Sequence, residues 1–243
     1  MNDKRGYYFP VIAMSLLLLL VWLFSWLAVV AELFTGNESG LVSLVSAGGV
    51  RWAVRSAMQS INAIPWGTVM LLLVSLGLLR GSGLLRFAGH LFSSARLTRN
   101  ERRASLFTLL ALFFYCALLY VSAMSPWNLL LGITGSVGGS PFMQGAPLVV
   151  MLGVLLLSVV YGFVFGNYRS VTDVAGFAGD TVAMFVPALM AVVPAAGIVP
   201  CLDYTGIFDI AGVGESAIAM AGNIVVSLPF LHTVLLHLIE KKE

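Results

Sequence analysis

The sequence predicts an all-α, polytopic membrane protein of about six transmembrane helices with broken or re-entrant and interfacial amphipathic segments between them. Three observations predict it. Of 243 residues, 59% are apolar and only 10% charged, against about 45–50% and about 25% in soluble chains. The mean hydropathy is +0.98. The apolar residues fall into runs long enough to span a bilayer, with the few charges between them. This excludes a soluble enzyme, a disordered chain and a disulfide scaffold, and the formal charge of +2 offers no footing for nucleic acid. The whole chain, 1–243, reads as one integral membrane domain.

The first span is placed at 9–33, preceded by Asp3, Lys4 and Arg5 and free of charge before Glu32. It resembles a signal peptide in its flanks, but its apolar core exceeds the roughly 7–15 residues of one, so it reads as a retained helix. Glu32 to Gly40 is polar and reads as a loop. Leu41 to Ile64 carries Arg51 and Arg55 four apart, with Val50, Ala53, Val54, Met58 and Ile61 opposite them. That pattern predicts an interfacial amphipathic helix. Pro65 ends it, because a proline pushes the residue before it out of the helical region.

The second span, 65–79, is short and closes on Arg80-Gly81-Ser82-Gly83. Leu84 to Phe92, with Arg86 and His90 on one side, reads as a surface helix, and Ser93 to Arg103 as a polar connector. Spans three and four are placed at 104–124 and 146–166. Asn167 to Thr172 is a turn. The fifth apolar stretch, 174–200, holds Pro187, Pro194 and Pro200, which remove backbone donors and should kink or break it. Cys201 to Gly222 is weakly polar, and the sixth span runs over 223–239.

Orientation follows from Lys and Arg in the short loops. With the N-terminus inside, only Arg51 and Arg55 of the 13 basic residues fall outside. Both termini are therefore expected in the cytoplasm, with the chain in the cell inner membrane among its lipids.

No catalytic constellation is present: no HExxH, GxSxG or phosphate loop, and His90, His232 and His237 lack metal-ligand spacing. No cofactor is expected beyond Na+ or H+ coupling. The stretch Gly132 to Pro141 holds Ser136, Gly138, Gly139 and Ser140. It reads either as a flexible outer loop or as a re-entrant element presenting free amides and carbonyls to a substrate or ion. Asp180 lies inside the fifth stretch. An acid there marks an ion or proton site, or sits in the inner headgroup region beside Asp173. Asp203, Asp209 and Glu215 fall at the outer interface. Gly162 and Gly166 form a GxxxG pattern, read as close helix packing.

The stretch from Leu44 to Leu91 resembles the N-terminal part of the AbgT (aminobenzoyl-glutamate transporter) family. Gly49, Arg51, Trp52, Pro65, Gly67, Thr68, Val69, Gly77, Ser82, Gly83 and Leu84 carry the resemblance. Gly135 to Ser140 is similar to the family's hairpin tip, and Ser170 to Gly222 to its later broken helix, ending near Leu202-Asp203-Tyr204-Thr205. The resemblance implies transport of aminobenzoyl-glutamate or sulfonamide-like anions driven by an ion gradient. It also implies a pathway lined by Ser136, Gly138, Gly139, Ser140, Asp180, Pro187, Pro194 and Asp203.

This sequence departs from the family in length, since members are about twice as long, and at Leu79-Arg80-Gly81 and Gly206. Two functions stand as expectations. One is a transporter or half-transporter subunit for a small organic anion, working as a homo-oligomer or with a second membrane subunit. The other is a transport-inactive scaffold or accessory subunit of a partner protein.

Overall fold

The computed structural model describes residues 5–35, 40–92, 98–124, 143 and 145–240. Among them every regular element is a helix. In order they are α1 (Arg5–Thr35), α2 (Ala47–Ala63), α3 (Trp66–Ser82), α4 (Leu84–Phe92) and α5 (Arg99–Met124). Then follow α6 (Ala146–Phe165), α7 (Val171–Tyr204), α8 (Ile207–Ile210) and α9 (Glu215–Glu240). Five of these, α1, α5, α6, α7 and α9, are long and apolar enough to cross a membrane. The pair α2 and α3 adds a sixth if taken as one broken span. The chain is a multi-pass membrane protein.

The end of α2 forms as the sequence predicts. Ser46 caps α2, its hydroxyl accepting from the Gly49 amide at 3.0 Å, and Ile64 before Pro65 is extended, with φ −75° and ψ 125°. A helix cannot pass through that conformation.

Three local features go beyond the sequence reading. The polar connector does not run to Arg103, because α5 begins at Arg99. Thr98 and Glu101 form a capping box: the Thr98 amide donates to the Glu101 carboxylate at 2.8 Å and the Glu101 amide to the Thr98 hydroxyl at 3.3 Å. That exchange satisfies two end donors and starts the helix before the apolar run. Next, of the kink or break expected in the fifth stretch, the break does not occur in α7. This element runs as one helix of 34 residues through Pro187, Pro194 and Pro200. Each proline removes only one ladder bond, and Ala188, Ala191, Val192, Ala195 and Ile198 bury a face that holds the rest. Finally, the weakly polar segment after Pro200 is largely helical, interrupted where Gly206 and Gly212 take positive φ.

The described residues group into two compact units, residues 1–65 with 184–243, and residues 66–183. In the first, α1 packs against α9, and Met14, Val21, Leu44, Ala191, Ala195, Ile198 and Cys201 form the core. The segment before α2 is pinned to α1 by Ser25, whose hydroxyl donates to the Val42 carbonyl at 3.1 Å and accepts from the Leu44 amide at 2.7 Å. Leu44 is fully buried. Gly49 has to be glycine here, since a Cβ would stand 2.5 Å from the Ser43 carbonyl oxygen.

In the second unit, α3 and α5 both pack against α6. The Tyr115 hydroxyl donates to the Val149 carbonyl at 2.6 Å. After α6 the chain turns through Gly166, φ 96°, and two residues of that turn reach the end of α3. Asn167 Nδ2 donates to the Ser82 carbonyl at 2.7 Å, and the Tyr168 hydroxyl to the Leu78 carbonyl at 2.7 Å. Gly162 and Gly166 therefore do not serve helix packing. A Cβ on Gly162 would enter the Tyr168 ring, and Gly166 is the left-handed cap. Close helix approach occurs instead at Gly77 and Gly81 of α3, where Cβ atoms would lie 2.6 Å from the Phe177 carbonyl oxygen and 2.5 Å from its ring.

Candidate functional site

The first unit contains a cavity of about 260 Å³ walled by three helices. From α1 come Leu18 and Trp22. From α2 come Ala53, Ser56, Ala57, Ser60 and Ile61, and from α7 Val193, Pro194, Ala196, Gly197 and Cys201.

Each wall has a local cause. In α2 the cavity residues recur at three- and four-residue steps, one face of a helix, and that face is made of small and hydroxyl side chains. Arg51 and Arg55 point away and are exposed. The expected apolar stripe is split by this arrangement. Ala53 and Ile61 line the cavity, while Val50 and Val54 are exposed. A stack of Trp52 on Tyr204, ring centroids 4.2 Å apart, ties α2 to the end of α7.

In α7 the wall is small residues between prolines. Pro200 has no N–H to donate to the Ala196 carbonyl, and Pro194 none for that of Met190, so the ladder is thinned along the cavity. Trp22 of α1 and Cys201 of α7 both line the cavity. Of the described residues, none that lines the cavity is charged. The hydroxyls of Ser56 and Ser60 are its hydrogen-bonding groups on α2, and the remainder is chiefly apolar. Such a space suits an apolar or aromatic moiety carrying one or two polar atoms. Among the described residues no three of His, Cys, Asp or Glu come together as metal ligands.

The residues singled out from sequence are not gathered here. Pro194 lines the cavity, and Pro187 is buried in the same unit without lining it. Asp203 is exposed in the last turn of α7. Asp180 is exposed in the other unit, about 14 Å along α7 from its first residue at 1.5 Å per residue. Ser136, Gly138, Gly139 and Ser140 lie outside the described residues. Sequence reasoning missed Trp22, Ser56, Ser60 and Cys201. The signal for the serines was present as Ala53, Ser56, Ala57 and Ser60 on one stripe opposite the arginines; nothing local marks Trp22 or Cys201.

One further polar atom stands apart. His232 Nδ1 in α9 is buried without a hydrogen-bond partner, its ring 5.5 Å from that of Phe9.

Comparison with known proteins gives one match. The model of the AbgT putative transporter family matches residues 88–239, more than half of the chain. The match begins at the end of the Leu44 to Leu91 stretch and takes in the glycine-rich segment and Ser170 to Gly222. No curated protein and no solved structure gives a match.

Proposed function

Because the chain belongs to the AbgT putative transporter family, we propose that it is a secondary transporter, or a half-transporter subunit, for a small organic anion, driven by a Na+ or H+ gradient. The observation that carries this reading is the cavity against the proline-bearing part of α7. Its volume, about 260 Å³, exceeds the roughly 150 Å³ that accommodates benzene in an apolar site. One ring with a short substituent fits, and a lipid does not. With no charged lining residue, the cavity takes the ring, and the serine hydroxyls meet its polar substituents.

Asp180 is the proposed coupling site. An exposed acid that far inside a spanning helix is costly unless water or a partner faces it. This supports a working form that is a homo-oligomer or includes a second membrane subunit. The re-entrant reading of Ser136, Gly138, Gly139 and Ser140 belongs to the same proposal, as does a pathway past Pro187, Pro194 and Asp203. The distribution of Lys and Arg favours the inner membrane with both termini in the cytoplasm.

Proteoliposome uptake of aminobenzoyl-glutamate under an imposed Na+ or pH gradient tests it. Gradient-dependent uptake that Asp180→Asn uncouples, and that the Ser56→Ala, Ser60→Ala pair weakens, is the expected result. Absence of flux in every oligomer and with every membrane partner overturns it in favour of a scaffold.

A further inference from the structure

The cavity is not the only space that Trp22 borders. On the outside of α1 lies an open apolar groove of about 300 Å³, lined by Leu19, Trp22, Leu23, Trp26 and Val45. Trp22 is the one residue common to the groove and the cavity. The other α1 groove residues face outward, Leu19 being 69% exposed and Leu23 51%. Trp22 itself is half-buried and packs against the core of the unit.

Depth decides what fills the groove. The spanning part of α1 is Gly6–Phe34, with mean hydropathy 2.5. At 1.5 Å per residue, Trp22 lies about 24 Å from one end of it and about 18 Å from the other. In a hydrocarbon core about 30 Å thick, both distances keep it away from the headgroups. The groove therefore opens onto acyl chains.

We propose that Trp22 is the gate of a lateral portal, through which an apolar or amphipathic ligand passes from the acyl phase of the bilayer into the cavity. Rotation of one indole about its side-chain torsions joins the two spaces without any change of backbone. In the structure the indole packs against the core of the unit, between the two spaces. Ligands reach the site after partitioning into lipid, so their apolar part, rather than their charge, sets the rate of arrival. The portal rests on the cavity being the ligand site of the proposed transporter, but its test requires no transport.

Cys201 lies in the cavity wall and Cys116 is exposed on α5, so Cys116→Ser leaves one thiol as a reporter. In liposomes, its modification by an N-alkyl maleimide is compared with that by a sulfonated maleimide, using intact-protein mass spectrometry. The alkyl reagent is expected to react at least about ten-fold faster, because it concentrates in the acyl phase. Trp22→Ala should raise the alkyl rate by about another ten-fold, roughly one gate's worth of closed-state bias, and leave the sulfonated rate unchanged. Trp22→Phe, which keeps an aromatic ring in the packing, should fall between. Trp26→Ala, which touches the groove alone, should change neither rate by more than about two-fold. Equal reactivity of the sulfonated reagent, equal acceleration of both reagents, or an inert Cys201 in both Trp22 variants overturns the portal. The first of these outcomes alongside intact gradient-driven uptake leaves the transport reading standing and removes only the lipid route.

Discussion

The Tyr168 hydroxyl donates to the Leu78 carbonyl at 2.7 Å, while the Tyr168 ring fills the space above Gly162. One side chain thus joins the turn after α6 to the end of α3 and fixes what residue 162 must be. Tyr168→Phe should cost about 0.5–1.5 kcal/mol by removing that hydrogen bond, the carbonyl keeping its partner within α3, and Gly162→Ala about 1–3 kcal/mol by overpacking. Thermal unfolding of the detergent-solubilised protein measures both. If each variant is as stable as the parent, the contact does not hold the unit together.

The same phenol makes stability depend on pH. Burial pushes the Tyr168 pKa up to about 12, against about 10 for a free tyrosine. The unfolded chain therefore loses this proton first as pH rises, and the folded state loses stability between about pH 10 and about pH 12. Below about pH 10 the contribution is fully present. The stability gap between the parent and Tyr168→Phe should be flat from pH 7 to about 9 and shrink above about 10, read from melting temperatures across that series.

Glycines in the second unit should divide into two classes. Gly77→Ala and Gly81→Ala drive a methyl into Phe177 and Thr181, so each should lower the melting temperature, by about 1–3 kcal/mol in stability. Gly176 and Gly179 have open space where a Cβ would go. Alanine there should be neutral or stabilise by about 0.5–1 kcal/mol through helix propensity. A uniform response across the four positions would contradict the packing described.

Ser25 serves the first unit in a comparable way, being at once donor to Val42 and acceptor from Leu44. Ser25→Ala removes both bonds and strands a buried amide, at about 1–3 kcal/mol. Hydrogen exchange at the Leu44 amide should then be faster than in the parent, while Ser25→Thr retains the hydroxyl and much of the protection.

Much of this arrangement was legible. Composition and charge placement gave the membrane class, and Pro65 gave the end of α2 because its effect on Ile64 is local. Leu84 to Phe92 emerged as a helix with its bounds intact. The failures share a cause, which is that the deciding partner lies far along the chain. GFVFG and GLLRG are the same pattern in sequence, yet Gly162 meets a tyrosine of the next turn and Gly77 meets another helix. Prolines in α7 suggested a kink or a break, and burial of its alanine face keeps the helix unbroken despite three missing ladder bonds. The capping box at Thr98 and Glu101 was readable locally and explains why α5 starts early. Within the site, the serine stripe of α2 was visible, whereas the meeting of Trp22 and Cys201 in the cavity wall joins residues far apart in the chain.

The division of the chain into residues 66–183 and residues 1–65 with 184–243 sets an order of events during synthesis. Every contact inside the first of these can form once residue 183 has emerged, because that stretch is continuous. Contacts of α1 with α9, including Phe9 with His232 and Tyr7 with Glu240, wait until α9 has been made. Until then α1 sits in the bilayer without its final neighbour, and closure of so long a loop is a late step. A chain stalled before α9 would hold one finished unit and one that has only begun to assemble. The cavity wall from α7 would arrive before the helix that braces α1 against it.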